Sequence, residues 1–244
     1  DKLSQNGIRT YENDIRPESR FLMERFINGS LEFTGEYVTQ GNLRVYTNPQ
    51  VKSCWYRATF STLSLDIETG MDGSLYSIGL SYTKGDTQKD IVYMWGDSNR
   101  KLDELCELRS NEKEVLESTM EFIQEYDPDF IVGWHIVGFD FKFMDKKARQ
   151  FGIELKMGRD NSQIELQERN NMLYATIRGR VVLDGPPLLR NNFFSFSNMK
   201  LDTVASEVLG LSKDISATGK EKVDEIERRF KEDKASLAFY NIED

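Results

Sequence analysis

Three groups of acidic and aromatic residues in this sequence have the types and spacing needed to hold a divalent cation. Asp66 and Glu68 stand two apart in Leu63-Ser64-Leu65-Asp66-Ile67-Glu68-Thr69. Their alternation with Leu63, Leu65 and Ile67 predicts a strand with one apolar face and both carboxylates on the other. Two carboxylates on a buried strand are costly unless a cation neutralises them. An edge strand with a solvated face would carry the same pattern without chemistry. Asp140 closes Gly133-Trp134-His135-Ile136-Val137-Gly138-Phe139-Asp140, after a short apolar stretch and near a helix start. Ends of buried strands are where open sheets place ligands, although an Asp at a helix start also suits the helix dipole. Tyr240 and Asp244, four apart, share one face of a C-terminal helix; an amphipathic helix with an interfacial Tyr would look the same. A set made of carboxylates without thiolate suits hard cations, Mg²⁺ or Mn²⁺.

The elements that must position these residues can be read along the chain. Pro17 suits a first helical position, and Phe21, Leu22, Met23, Phe26 and Ile27 follow at helical spacing up to Gly29. Leu31–Val38 and Leu43–Tyr46 predict strands. The strand carrying Asp66 is followed by strands at Leu75–Tyr82 and Ile91–Trp95, a three-strand meander. Asn111 and Glu114 form a capping box for a helix that buries Val115, Thr119, Phe122, Ile123 and Tyr126 and stops at Pro128. Phe130–Trp134 predicts a short buried strand, Gly138–Phe151 a helix, and Leu173–Leu183 a strand pair or one long strand. Further helices are marked by Leu201–Leu209 closed by Gly210, by Val223, Ile226 and Phe230, and by Leu237–Asp244. Strands first and then helix–strand–helix predict an α/β fold, a mixed sheet with helices on its faces.

The 244 residues, 39% hydrophobic and 30% charged, suffice for one good core with a smaller companion unit. A net charge of −9 argues against a stand-alone nucleic-acid-binding module, because phosphate binding rests mainly on Lys and Arg. It does not argue against an enzyme that carries cations to its substrate, since bound ions reverse the local sign. Cys54 and Cys106 are the two cysteines; they form no zinc spacing, and free thiols in a reducing cytoplasm are expected. No apolar run approaches the roughly 20 residues of a membrane span. The first residue is not Met and the sequence stops at Asp244, so the expectation is a fragment of a longer chain.

Taken together and in this order, the three groups resemble the DEDD exonuclease superfamily. Asp66-Ile67-Glu68-Thr69 is similar to its first motif, Phe139-Asp140 to the end of its second, and Tyr240…Asp244 to the third in its Tyr form. The sister form has His five residues before the last Asp, where this chain has Phe239. Asp127–Trp134 and Ser197–Gly210 resemble segments of family B DNA polymerases. Tyr11–Ile27, Gly158–Ser162 and Asp224–Tyr240 resemble the bacterial polymerase II branch of that family. The likeness covers nearly the whole chain.

The resemblance implies a ribonuclease H-like fold for residues 58–244, preceded by a remnant of a polymerase N-terminal domain over 1–57. It implies 3′→5′ exonuclease (proofreading) activity on a single-stranded or frayed 3′ end of DNA. Asp66, Glu68, Asp140 and Asp244 would hold two Mg²⁺ or Mn²⁺ ions, and Tyr240 would aim the attacking water. Thr69, Phe139 and His135 would touch substrate, Phe139 by stacking on a base. His135, the only histidine, stands where the family usually has Asn. The implied partners are DNA and the palm, fingers and thumb of a parent polymerase; the polymerase motifs themselves are absent from the sequence. Two other readings stand beside this one: a catalytically silent exonuclease fold that guides DNA, and an RNA-trimming member of the same superfamily.

Overall fold

The computed structural model describes residues 5–41, 43–170, 172–210 and 219–243. Two compact units, Asp1–Ala58 and Thr59–Asp244, divide the chain. In the first, helix α1 (Pro17–Met23) opens on its proline as expected. Strand β1 (Leu31–Thr34) pairs antiparallel with β4 (Gln50–Ser53), and β2 (Tyr37–Gln40) with β3 (Leu43–Tyr46). The single strand expected over Leu31–Val38 is therefore two. Gly35 breaks it with a φ of +152°, which side chains rarely adopt.

The second unit holds a seven-stranded mixed sheet in the order β13-β10-β5-β6-β7-β9-β8. Its meander is β5 (Ser61–Thr69), β6 (Leu75–Lys84) and β7 (Thr87–Trp95), paired antiparallel as the sequence suggests. β10 (Phe130–Gly133) lies parallel to β5, and β13 (Val181–Asp184) parallel to β10. On the far side β9 (Cys106–Arg109) runs parallel to β7 and pairs with the two-residue β8 (Arg100–Lys101). β5 is thus interior, and the edge-strand reading of Asp66 and Glu68 does not hold. The stretch Leu173–Leu183 belongs to two sheets. β12 (Met172–Thr176) forms a separate hairpin with β11 (Glu165–Arg169), and the chain turns at Gly179, φ +79°, before entering β13.

Helices cover both faces. On one, α2 (Glu112–Tyr126) and α3 (Lys142–Gln150) bury Val115, Leu116, Phe122, Ile123, Met144 and Ala148 against Leu63, Leu65, Ile67, Ile78 and Leu80. The N-cap forms, with the reciprocal bond altered: the Asn111 side chain accepts from the Glu114 amide at 3.0 Å, and the Glu114 carboxylate accepts from Asn111 Nδ2 at 2.9 Å and from the Ser110 amide at 3.3 Å. On the other face α6 (Lys220–Glu232) and α7 (Lys234–Glu243) bury Ile226, Leu237, Ala238 and Tyr240 against Tyr76, Val92, Met94 and Leu108. Cys106 joins that cluster, and burial pushes its thiol up to about 12, so it is an inert free cysteine. Two short helices, α4 (Gly185–Asn191) and α5 (Leu201–Leu209), follow β13. No helix of the described residues is long and apolar enough to cross a membrane.

The N-terminal ends of the three parallel strands are stapled by charge. The Arg180 side chain is fully buried. It donates to the Asp127 carboxylate at 2.7 Å and to the carbonyls of Pro128 (2.7 Å), Met157 (2.9 Å) and Ile123 (3.2 Å). Arg159 bridges Asp127 and Asp129, each at 2.7 Å, and Asp129 in turn accepts from the Ser61 amide at 2.9 Å. Removing the buried guanidinium of Arg180 takes four hydrogen bonds from its acceptors at once. Arg180→Ala is expected to lower unfolding free energy by about 3 kcal/mol in urea titration; a change below about 1 kcal/mol would show that water replaces the guanidinium.

Candidate active site

The site is built on β5. Its odd-numbered residues face α2 and α3, so Asp66 and Glu68 face the opposite helices, α6 and α7. Glu68 is buried, and after it the β5–β6 register shifts between Glu68 and Thr69, a bulge that ends regular pairing beside the carboxylate.

Asp140 reaches β5 from the next strand. After β10 the chain forms a turn of π-helix, Val137–Phe141, in which the Phe141 amide bonds back to the Ile136 carbonyl at 2.8 Å. This wide turn, a form frequent at functional sites, leaves the Asp140 side chain only 2% exposed. Its Oδ1 accepts from the Ile67 amide at 3.2 Å, directly between Asp66 and Glu68 in sequence. Burial pushes the Asp140 carboxyl up to about 7, and the negative charge of Asp184 adds to the rise.

Asp184 went unread in the sequence. It ends β13, in register with Gly133 of β10, and its carboxylate accepts from the amides of His135 (2.9 Å) and Val137 (3.4 Å). It pins the loop that leads to Asp140. His135 itself is exposed and left-handed at φ +60°. The position calls for a residue that tolerates that backbone, which Asn does more readily than most. That accounts for the Asn of the resembling motif through the main chain. Phe139 is half exposed on the same turn, 6.3 Å from the Phe143 ring, and Thr69 is half buried at the end of β5.

The last helix docks on the strand row that holds Asp66. Across β5 and β6, Asp66 faces Gly79. A side chain there would meet the Asn241 carbonyl oxygen at 2.8 Å and its Cγ at 3.1 Å, so only glycine admits the α7 backbone this close. Asn241, buried, donates from Nδ2 to Asp66 Oδ2 at 3.0 Å and to the Asp66 carbonyl at 3.3 Å. Its Oδ1 accepts from the Ser77 hydroxyl at 2.7 Å. Tyr240 is 1% exposed, with the Lys222 ammonium 5.4 Å and the Arg229 guanidinium 5.9 Å from its ring centre. The alternative of an interfacial Tyr does not hold, since Tyr240 lies in the core. Asp244 lies outside the described residues.

Asp66 and Glu68 thus stand on one face of β5, Asp140 reaches the Ile67 amide between them in sequence, and the helix of Tyr240 docks on Asp66 through Asn241. Among the described residues no three His, Cys, Asp or Glu side chains are gathered into a metal-binding group. The donor chemistry nonetheless fits Mg²⁺ or Mn²⁺: these are hard carboxylate oxygens, and buried Asp140 resists ionisation for want of a positive charge.

Comparison with known proteins decides the family. The family described as DNA polymerase family B, exonuclease domain, matches residues 80–204. This chain belongs to that family. It is 39% identical over 251 residues to DNA polymerase II of Escherichia coli (strain K12), a match that covers 100% of this chain and 31% of the relative. It is 31% identical over 193 residues to a DNA polymerase of Pyrococcus horikoshii, covering 75% of this chain and 14% of the relative. The chain spans less than a third of either relative's length. The family B DNA polymerase structure from Pyrobaculum calidifontis superposes with a TM-score of 0.68 over 95% of this chain and 29% of that one. At 17% identity that match speaks for the fold, and it agrees with the ribonuclease H-like sheet expected from the sequence.

The raised carboxyl of Asp140 has a measurable consequence. In metal-free protein its folded-state value of about 7 lies above the ordinary carboxylate value of 3.8. The folded state then holds a proton that the unfolded chain has released, so this group's contribution to stability is full at low pH and is lost as pH rises through about 7. With chelator present, Asp140→Asn should be more stable than the wild type at pH 8, and the difference should shrink towards zero near pH 4, as read by urea unfolding. Equal pH profiles for the two proteins would show that Asp140 is not buried in the way described.

Proposed function

We propose that this chain is a 3′→5′ exonuclease that trims the 3′ end of DNA, the proofreading domain of a DNA-directed DNA polymerase. The observation that carries the reading is the bond from the Ile67 amide to Asp140, which ties Asp140 to the interior strand that bears Asp66 and Glu68, in a chain of the family B exonuclease domain. The polymerase activity of the relatives, and their palm, fingers and thumb as partners of this domain, come to this chain only as part of the same proposal.

Asp66, Glu68, Asp140 and Asp244 would hold two Mg²⁺ or Mn²⁺ ions, which supply charge neutralisation at the scissile phosphate and a nucleophilic water. The protein's own part is positional. The sheet fixes Asp66 and Glu68 on one face. The π-turn sets Asp140 on the Ile67 amide, and the burial of Glu68 and Asp140 strengthens electrostatic interactions at those two groups. The Tyr240 hydroxyl would hydrogen-bond and aim the water. Phe139, exposed beside Asp140, offers a face on which the terminal base stacks, with Thr69 and His135 at the rim. Residues 1–57 fit the end of a polymerase N-terminal domain, since the relative from Escherichia coli aligns over the whole chain.

Digestion of 5′-labelled single-stranded DNA tests the proposal. Asp66→Ala and Asp140→Ala are each expected to abolish Mg²⁺-dependent release of nucleotides from the 3′ end. Either variant at near wild-type rate would overturn the assignment. RNA of the same sequence should be cut much more slowly; equal rates would favour an RNA-trimming enzyme. Tyr240→Phe keeps the core packing and removes one oriented hydroxyl, so it should slow digestion by about 10- to 100-fold without abolishing it. A loss as complete as that of Asp66→Ala would give the hydroxyl a larger part in the chemistry.

A further inference from the structure

We infer that Asn241 is a positioning residue for Asp66: it fixes the orientation of that carboxylate, and with Ser77 it locks the last helix in register on the sheet. The inference rests on the proposed exonuclease site and adds to it a residue at one of the motif's unspecified positions, between Tyr240 and Asp244.

The geometry is closed on every side. Asn241 and Ser77 are buried, at 1% and 0% exposure. The two Asp66 atoms that the amide meets are both acceptors, and this assigns it: the atom facing them must be the donor Nδ2, and Oδ1 on the other side accepts from the Ser77 hydroxyl at 2.7 Å. That donor grips Asp66 twice, at the carboxylate Oδ2 (3.0 Å) and at the main-chain carbonyl (3.3 Å). One carboxylate oxygen is thereby held and the carboxylate plane is set. Ser77 stands opposite Glu68, and Gly79 opposite Asp66, on β6, so the hydroxyl and the glycine that seat Asn241 come from the neighbours of the two carboxylates. A glycine at 79 is what allows α7 to come close enough for this contact.

The chemical type of the residue is informative. Lys or Arg at this place would orient Asp66 equally well but would cancel its charge, and a cation would then bind poorly. A neutral amide orients the carboxylate and leaves its negative charge intact. It also lies one residue after Tyr240, so the same bond that sets Asp66 sets the height and rotation of the helix that carries Tyr240 and Asp244.

The test is Mn²⁺ binding to the protein, followed by loss of the free-ion electron paramagnetic resonance signal, with thermal unfolding measured in parallel. Wild type, Asp66→Ala, Asn241→Leu and Ser77→Ala are compared. Asn241→Leu keeps the volume and removes the donor; it should weaken Mn²⁺ binding about 10-fold. Ser77→Ala, which removes the hold on the amide oxygen but leaves the donor to Asp66, should weaken it by less and in the same direction. In digestion assays both should raise the Mg²⁺ concentration for half-maximal rate, with rate regained at high Mg²⁺, which a general loss of packing would not produce. Wild-type Mn²⁺ affinity in folded Asn241→Leu overturns the inference; where that variant does not fold, wild-type affinity in Ser77→Ala overturns it. Binding lost in Asp66→Ala but kept in Asn241→Leu removes the role of Asn241 alone. Equal binding by wild type and Asp66→Ala removes the metal site and this inference together.

Discussion

The hydrogen bond from the Ile67 amide to the Asp140 carboxylate is the contact on which the arrangement turns, because it joins the strand of Asp66 and Glu68 to the chain arriving from β10. β10 pairs with β5 only over Phe130–Val132, and beyond Gly133 it must leave the ladder. The π-turn follows at once, and its wider ring sends Asp140 inward where a regular helix start would leave the side chain in solvent. Gly133 is required at the departure point: a Cβ there would stand 2.8 Å from the Leu65 carbonyl oxygen. Asp184, holding the amides of His135 and Val137, fixes the loop between. Sheet end, glycine, anchored loop and π-turn together hold one carboxyl group in place.

The other helix on the site depends on the same strand from its opposite face. α7 is short, and Asp233 separates it from α6. The Asp233 carboxylate caps it through the Ser236 amide at 3.1 Å, and Arg229 of α6 reaches the Ser236 carbonyl at 3.4 Å. Phe230 stacks on Tyr76 of β6, centroids 3.8 Å apart. The two helices are therefore fixed to β6 by an aromatic stack at one end and by the Asn241–Ser77–Asp66 bonds at the other, and Tyr240 sits between them in the core.

Much of this was legible from spacing. Asp66 and Glu68 alternate with residues of a strand, Tyr240 lies on a helix, and Asn111 and Glu114 cap α2 through the Glu114 amide and a side-chain bond. What spacing cannot show is which strands meet in space. The interior place of β5 depends on its parallel pairing with β10, some 68 residues away, and nothing local to Ser61–Thr69 distinguishes that from an edge. Asp184 was missed for the same reason: it reads as a polar strand end before Gly185-Pro186-Pro187, and its use appears only when β13 lies beside β10. Asn241 was hidden in a motif position that the resemblance leaves unspecified. The short helix α4 was missed because its Gly-Pro-Pro start reads as a turn, although proline is well suited to the first turn of a helix. The strand at Cys106–Arg109 was missed because four residues give too little periodicity.

The two ends of the parallel strands differ in how the protein satisfies its own acids, and this contrast ties the fold to the chemistry. At the N-terminal ends Asp127 and Asp129 meet Arg159 and Arg180, whose charges hold both carboxyls below the usual carboxylate range despite burial. At the C-terminal ends Asp140 and Asp184 receive main-chain amides, and among the described residues neither has an ion pair; both are raised by burial. An amide dipole orients a carboxylate but does not cancel its charge. The same sheet thus has Arg159 and Arg180 where they fasten strands together and, among the described residues, no ion pair to Asp140 or Asp184 at the other end. A fold selected only for stability would gain by placing a cation beside Asp140. Among the described residues Asp140 is instead left buried on main-chain amides, and burial raises its carboxyl to about 7.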